Sequence, residues 1–304
     1  MFTNHRLIFV VVLSLLVVFM IYAAIARLGC DVVTLTVLNG LTATPTGGFS
    51  DVKFPSRDHQ WIVHAFYMPG QFGRPVLINV HGYRGTRHSD FELGRAQDMR
   101  ELGYTVLTID LKDAGGDTID NSRISMGYSE RWDVLGAFDY LLAHGFTAER
   151  IGVVGESMGA TTELLAAAIE PRLRAIWADS PYADTYAVLA EDAPTQNFSP
   201  LLIPGGLFWD WLLTGDRIWE AAPINDAATL TANHQAVYLV HDQNDTMVFF
   251  HHSVELNAAY IKAGVDVTFW AVPGLDHIQA ITYHRAEYLQ QLDEFFGKHL
   301  VQEF

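Results

Sequence analysis

The most continuous hydrophobic pattern of the chain lies near its amino terminus. Residues 7–26 contain no charged side chain, and Ser14 and Tyr22 are their only polar interruptions. As a helix, this stretch would be about 30 Å long, which matches the thickness of a bilayer core. The pattern therefore predicts a single membrane-spanning helix, with residues 1–30 as a membrane anchor and the lipid bilayer as its partner.

A cleaved signal peptide is the competing interpretation of this segment. Ala24-Ile25-Ala26 resembles a cleavage site, and Gly29-Cys30 gives a hint of lipoprotein processing. The apolar stretch, however, is longer than the roughly 7–15 residues of a signal peptide, which favours a retained anchor. Basic residues flank the stretch on both sides and are then absent up to position 53. This slight asymmetry favours an amino terminus inside and the remaining chain outside the cytoplasm.

Beyond residue 50, apolar runs alternate with amphipathic segments. Residues 31–50, rich in Thr and Gly, predict a linker before this region. Strands are predicted at residues 51–55, 61–67, 76–80, 105–110, 151–154, 175–178, 236–240 and 267–271. Helices are predicted at residues 91–102, 129–144, 160–169, 254–263 and 284–299. Continuous apolar strands are typical of a parallel sheet covered on both faces, so the alternation predicts a doubly wound α/β domain over residues 51–304.

One insertion interrupts this alternation. Residues 181–232 separate two predicted strands, a far longer connection than a normal crossover. The segment is rich in Pro and in large apolar side chains, among them Phe208, Trp209, Trp211 and Trp219. It predicts a helical cap over the functional site, with extra core packing at the sheet edge as the alternative.

Composition and charge exclude several classes of protein. Half of the 304 residues are apolar, which excludes a disordered chain, and the length suits one large α/β domain. The formal net charge of −16 argues against a nucleic-acid partner. Cys30 is the only cysteine, so no disulfide forms within the chain.

Neither a metal nor a cofactor is predicted. His251 and His252 are neighbours at a helix start, where their side chains are expected to diverge. The oligomeric state is left open.

The strongest chemical signal is the segment Gly155-Glu156-Ser157-Met158-Gly159. It follows a short apolar strand and leads into a helix, which is the context of a nucleophile elbow. A side chain at either glycine would collide with the neighbouring strand or helix of so tight a turn. The pattern therefore predicts a nucleophilic serine.

A serine hydroxyl needs a base and an acid that orients this base. Both are expected after later strands, because ligands bind at the carboxyl edge of an open α/β sheet. Asp245 follows the strand at 236–240, and His277 follows the strand at 267–271. Serine, acid and histidine thus occur in the order that this kind of fold uses.

At this point the chain resembles the α/β-hydrolase superfamily over about residues 50–300. Within that superfamily it is similar to single-anchor, serine-aminopeptidase-like hydrolases that are related to thioesterases. The resemblance rests on motifs in the expected order: His81-Gly82-Tyr83-Arg84-Gly85, Asp110, Gly155 to Gly159, the H-x-x-x-D-x-x-V pattern around Asp245, and His277. It implies a mostly parallel, eight-stranded sheet flanked by helices.

The resemblance also implies roles for single residues. Ser157 would attack a carbonyl carbon, His277 would transfer the proton, and Asp245 would hold the imidazole. Asp242 is the competing acid, and the H-x-x-x-D spacing favours Asp245. Asp276 adjoins the histidine, but adjacent side chains on a loop usually diverge.

An oxyanion hole would complete this site. Its backbone N–H groups are expected from Met158, which follows the nucleophile, and from Tyr83, which follows the strand at 76–80. The function that follows is a membrane-anchored serine hydrolase acting on carboxylic esters or thioesters through an acyl-enzyme. A serine peptidase and an acyltransferase would use the same triad, and a non-catalytic binding module is the alternative of another class.

Overall fold

Eight strands form a single sheet at the centre of the protein. The computed structural model describes residues 2–301 of the chain. The strands are β1 (Ser50–Pro55), β2 (Ile62–Met68), β3 (Val76–Val80), β4 (Thr105–Ile109), β5 (Ile151–Glu156), β6 (Ala175–Asp179), β7 (Ala236–Asp242) and β8 (Asp266–Val272). They lie in the order β1-β2-β4-β3-β5-β6-β7-β8. β2 is antiparallel to both β1 and β4, and all other neighbours are parallel.

Ten α-helices lie within the described residues. They are α1 (Phe2–Thr34), α2 (Asp90–Glu101), α3 (Arg131–Ala143), α4 (Met158–Ile169), α5 (Thr185–Asp192), α6 (Ile203–Thr214), α7 (Ala227–Ala232), α8 (His251–Ala263), α9 (Ala280–Tyr283) and α10 (Arg285–His299). Every strand and helix predicted above is present, with bounds that differ by a few residues at most. The mostly parallel eight-stranded α/β-hydrolase sheet is thus confirmed.

Helices cover both faces of this sheet. On one face, α3 and α4 contribute Phe138 and Leu164 to the core. On the other face, α2 and α10 contribute Met99 and Phe296. All residues of β3 and β4 are buried, which explains why these strands are mostly apolar and do not alternate between apolar and polar residues.

Helix α1 passes the predicted end of the anchor at residue 30 and continues to Thr34. It is long and apolar enough to cross a membrane. The chain that follows is held by the domain, since Thr36 N–H donates to the Ser122 carbonyl and Asn39 N–H to the Gly115 carbonyl. The first part of the predicted linker is therefore fixed to the domain.

The insertion between β6 and β7 is helical. It contains α5, α6 and α7, together with 3₁₀ turns at Pro200–Leu202, Ile218–Glu220 and Pro223–Asp226. Helix α6 packs against α1 through close contacts: a Cβ atom added at Gly205 would lie 2.7 Å from the Ala26 Cβ. We refer to residues 181–232 as the cap.

Candidate active site

Ser157 stands on a sharp turn between strand and helix. Strand β5 ends at Glu156 and helix α4 begins at Met158, so Ser157 alone makes the turn. Its backbone has φ 51° and ψ −122°, a conformation that a residue with a side chain rarely adopts. Such local strain is typical of functional sites, where the surrounding structure holds it in place.

The two glycines of the motif make room for this turn. A Cβ atom at Gly159 would lie 2.4 Å from the His81 carbonyl oxygen and 2.7 Å from that of Val80. At Gly155 it would lie 2.8 Å from the Gly159 carbonyl carbon. Helix α4 can therefore approach the end of β3 only because these positions lack side chains.

The structure brings Asp245 and His277 together. His277 Nδ1 lies 2.6 Å from Asp245 Oδ2. Asp245 is further fixed by the N–H groups of Met247 and Val248, which both donate to its Oδ1 at 2.9 Å. The carboxylate accepts at both oxygens and thereby sets the orientation of the imidazole.

The two competing acids face other groups. Asp242 Oδ2 accepts from the N–H groups of Gln279 and Ala280 at 2.6 and 3.2 Å. Asp276 Oδ1 accepts from the N–H groups of Thr246 and His277, both at 2.8 Å. Each of these carboxylates supports the loop that carries the histidine, whereas the ring itself is bonded to Asp245.

Asp245 is surrounded by groups that favour its charged form. Burial raises its pKa, but contacts with His241 and His277 lower it more, so the net pKa lies well below the usual value. His241 is itself buried and held by Ser253 Oγ and the Val248 carbonyl oxygen, at 2.7 and 2.8 Å. Asp245 therefore remains a carboxylate near neutral pH.

Ser157 and His277 both lie near Asp179. The Ser157 N–H donates to the Asp179 carbonyl oxygen at 2.7 Å. Burial, followed by the charge of Asp242, raises the pKa of Asp179 to about 6, and the His277 imidazole acts in the opposite direction.

Within the described residues, no hydrogen bond joins the Ser157 hydroxyl to the His277 imidazole. Catalytic hydrogen bonds are often long in unliganded enzymes and shorten when the substrate binds.

The loop after β3 approaches the serine closely. A Cβ atom at Gly82 would lie 3.3 Å from the Ser157 Cβ. The Gly82 N–H donates to Glu156 Oε1 at 3.1 Å, so the residue before the nucleophile holds this loop. In the described part of the chain, the N–H groups of Tyr83 and Met158 have no acceptor. These two amides are available for an oxyanion.

Sequence reasoning missed the role of Glu156. Its side chain is buried and contacts Arg95, which also bonds to Asn79 and to the Val80 carbonyl oxygen. Burial, with the nearby charge of Glu92, raises the pKa of Glu156 well above its usual value. A buried ionisable cluster thus lies beneath the loop after β3, and no local pattern in the sequence indicates it.

Two further polar residues brace the same loop from the other side. His81 Nε2 accepts from the Leu111 N–H at 3.0 Å, so its Nδ1 carries the proton and donates to the Gly82 carbonyl oxygen at 2.8 Å. Asp110 is buried and accepts from the Arg87 N–H at 2.7 Å. Both residues are structural supports of the site.

A cavity of about 350 Å³ opens beside the serine. Its lining includes Ser157, Met158 and Tyr83 from the predicted site, and Leu189 and Asp192 from the cap. The end of helix α1 lines it too, through Val32 and Val33. This wall was missed because these residues were assigned to a linker, although residues 31–39 contain neither Gly nor Pro.

The expectation that His251 and His252 diverge is wrong. Their rings lie 4.4 Å apart and are stacked. The cause is Glu191 of the cap, whose carboxylate oxygens lie 2.9 Å from His251 Nε2 and 3.0 Å from His252 Nε2. These three side chains could supply one ligand atom each to a metal ion. In the structure, hydrogen bonds between these side chains join the cap to α8.

Comparison with known proteins agrees with this architecture. The model of the prolyl oligopeptidase family matches residues 89–303, more than half of the chain. An esterase of Pyrococcus furiosus, Pf2001, has a similar fold, with a TM-score of 0.68 and 18% identity over 88% of this chain and 98% of the esterase. An acylaminoacyl peptidase of Pyrococcus horikoshii gives a TM-score of 0.65 and 18% identity over 87% of this chain and 43% of the peptidase.

Two relatives are similar in sequence. Peptidase YuxL of Bacillus subtilis is 21% identical over 262 residues, 79% of this chain and 37% of the peptidase. Lysophosphatidylserine lipase ABHD12 of Gallus gallus is 26% identical over 241 residues, 73% of this chain and 58% of the lipase. This chain therefore spans less than two thirds of the length of either relative. Since the family model covers the serine, the aspartate and the histidine, this chain belongs to the prolyl oligopeptidase family of α/β-hydrolases.

Proposed function

We propose that this chain is a membrane-anchored serine hydrolase that cleaves carboxylic esters or thioesters through an acyl-enzyme on Ser157. The observation that carries the proposal is the hydrogen bond between Asp245 and His277. It holds an imidazole at the sheet edge where a strained turn presents a serine. Because Asp245 binds Nδ1, Nε2 of the ring is left for proton exchange with the hydroxyl.

The reaction follows from these positions. Ser157 Oγ attacks the carbonyl carbon while His277 Nε2 takes its proton, and Asp245 stabilises the resulting imidazolium. The N–H groups of Tyr83 and Met158 stabilise the oxyanion, each by about 3–4 kcal/mol in typical cases. The alcohol or thiol then leaves with the proton from His277. Water, activated by the same imidazole, releases the acid.

An ester or thioester is favoured over a peptide by the apolar part of the cavity wall. Val188 and Leu189 of the cap, Val33 of α1 and Met247 line it beside the serine. These side chains suit an acyl chain and offer no hydrogen bonds to a peptide backbone. The similarity to ABHD12, whose name describes a lipase acting on lysophosphatidylserine, supports the same choice.

A peptidase is the second candidate. The family match and the similarity to YuxL favour it, as does Asp192, a carboxylate on the cavity wall that could bind an amino terminus. Hydrolysis of aminoacyl coumarin amides at rates above those of matched esters would favour the peptidase.

The test uses the purified full chain in detergent micelles. We expect wild-type protein to react with a fluorophosphonate probe and to hydrolyse p-nitrophenyl esters and acyl thioesters. Ser157→Ala should lose the label and reduce ester turnover by about 10⁶-fold. Ser180→Ala is the matched control, because this buried serine bonds to Asp179 rather than lining the cavity. Labelling that survives Ser157→Ala would refute the proposal.

The anchor and its orientation are part of the same proposal. Helix α1 carries the length and apolar composition of a membrane span. With the amino terminus inside, the hydrolase domain lies outside the cytoplasm. Protease added outside intact cells should degrade a carboxy-terminal tag, whereas cleavage only after permeabilisation would reverse this topology.

A further inference from the structure

The surface of the cap beside α1 is apolar and exposed. Along α6 and the turn before it, large side chains point outward, and Phe208 is 53% exposed. The exposed apolar residues of this face are Leu201, Phe208, Trp211, Leu212 and Leu213. Asp210 is the only charged residue of α6, and it is buried. A contiguous apolar face of this kind marks an interaction site rather than an ordinary protein surface.

The position of α6 along α1 identifies what covers this face. Tyr22 OH donates to the Leu201 carbonyl oxygen at 3.1 Å and accepts from the Gly205 N–H at 3.2 Å. The Trp209 indole N–H donates to the Ala23 carbonyl oxygen at 2.9 Å. Tyr22 and Ala23 belong to the uncharged stretch at residues 7–26. The cap is therefore attached to the segment that would lie within the bilayer.

The depth of this attachment can be estimated from helix geometry. The first charged residue after the apolar stretch is Arg27, and Tyr22 lies one helical turn before Ala26, or about 6 Å deeper. Amphipathic helices at membrane surfaces are buried by about 5–10 Å. Trp side chains are also enriched at this boundary, where α6 carries Trp209 and Trp211.

We infer that α6 is embedded in the bilayer surface beside α1, and that the substrate is a long-chain amphiphile that enters the site from the membrane. This inference rests on the proposed function: its first half on the membrane anchor, and its second half on the hydrolase activity. The lipid bilayer is what covers the exposed apolar face of α6.

An apolar route joins this surface to the serine. A narrow cavity between α1 and the cap is lined by Ala26, Gly206 and Leu207 near the membrane. Four residues line both this cavity and the one that contains Ser157: the apolar Val33 and Leu189, and the polar Asp192 and Gln196. Val33 lies two helical turns beyond Ala26, about 10 Å along the axis. The narrow cavity measures about 50 Å³, so an acyl chain would widen it by displacing α6.

The first experiment measures the depth of α6 in the full chain, reconstituted in phosphatidylcholine vesicles. Phe208→Cys and a control, Phe72→Cys, are each combined with Cys30→Ala and labelled with a fluorescent NBD group. Phe72 is 97% exposed in the loop before β3, at the opposite edge of the sheet. We expect nitroxide groups on the lipid acyl chains to quench the label at 208 far more than the label at 72.

Equal quenching at both positions overturns the inference. A second copy of the chain, instead of lipid, could cover the apolar face of α6. It would shift the emission at 208 to the blue without quenching by lipid nitroxides, and dilution with lipid would reverse the shift. That result also overturns the inference.

The second experiment separates membrane entry from chemistry. The variant replaces Phe208, Trp211 and Leu212 by serine. Its hydrolysis of a long-chain ester in vesicles should fall about tenfold or more, because α6 then has less apolar area to bury in the bilayer surface. Hydrolysis of soluble p-nitrophenyl butyrate should stay the same. An equal loss for both esters, or no loss, overturns entry from the membrane. If wild-type protein cleaves neither ester, the proposed function fails, and the quenching result still decides the position of α6.

Discussion

The carboxyl edge of the sheet and the junction of the cap with α1 differ in where their polar and apolar side chains lie. At the edge, charged and polar groups such as Glu156 and His241 are buried and hydrogen-bonded. At the junction, apolar groups such as Phe208 and Leu212 are exposed, and the buried carboxylate of Asp210 has no hydrogen-bond partner among the described residues. The first region is organised to hold a reaction geometry, and the second suits surroundings other than water.

The largest effect should come from breaking the carboxylate–imidazole pair at the edge. Asp245→Asn removes the charge that stabilises the imidazolium and favours the wrong tautomer of His277, so kcat should fall about 10⁴-fold. Asp242→Asn is the matched control, three residues away, and should change kcat less than tenfold because an amide oxygen still accepts from Gln279 N–H. Steady-state rates on p-nitrophenyl butyrate measure both. Equal losses would remove the special role of Asp245.

A second test disrupts the packing of α4 against β3 beneath Ser157. In Gly159→Ala, the new methyl group would lie 2.4 Å from the His81 carbonyl oxygen, so β3 and α4 would have to separate. We expect the free energy of unfolding to fall by about 3 kcal/mol or more. Gly94→Ala, in the exposed middle of α2 with no neighbour within 4 Å, should instead raise it by about 1 kcal/mol. Denaturant unfolding in detergent distinguishes them, and a neutral Gly159→Ala would contradict the close approach of α4.

These contrasts also explain how much the sequence could predict. The sheet was predictable because strands such as β3, at 76–80, are buried on both faces and therefore consist mostly of apolar residues, with Asn79 as the exception in β3. The serine turn was predictable because glycine at 155 and 159 is a local requirement of close packing. Asp245 and His277 were predictable as candidates from their places after β7 and β8.

Contacts between distant segments were not predictable. The partner of Glu156 is Gly82, 74 residues away in the sequence, and a buried carboxylate leaves no local pattern. Val32, Val33 and Thr34 were assigned to a linker because residues 31–50 are rich in Thr and Gly. Their helix is instead stabilised from outside, by Arg123 on Thr34 and by Tyr83 on the Val33 carbonyl oxygen.

The cap offers a pH-dependent test of the junction. Burial, followed by the charge of Asp216, raises the pKa of Asp210 from 3.8 to about 7. Between these values the folded protein binds more protons than the unfolded chain, so its stability should fall as the pH rises from about 4 to about 7. Asp210→Asn should remove up to about 4 kcal/mol of this fall. Unfolding free energies at several pH values measure it, with exposed Glu220→Gln as the control. If the unfolding free energy of Asp210→Asn depends on pH in the same way as that of the wild type, the Asp210 carboxylate is solvated.

The smallest effect should come from the hydrogen bonds that attach the cap to α1. Tyr22→Phe removes a hydroxyl that bonds to both the Leu201 carbonyl oxygen and the Gly205 N–H, but it keeps the ring. The loss should be about 1 kcal/mol and should be confined to α6, because the edge of the sheet has no contact with this hydroxyl. Hydrogen exchange in nanodiscs should therefore accelerate in α6 and stay unchanged in α4, which begins beside Ser157. Faster exchange in both helices would mean that the cap and the carboxyl edge of the sheet unfold as one unit. The contrast between the two regions would then not extend to their stability.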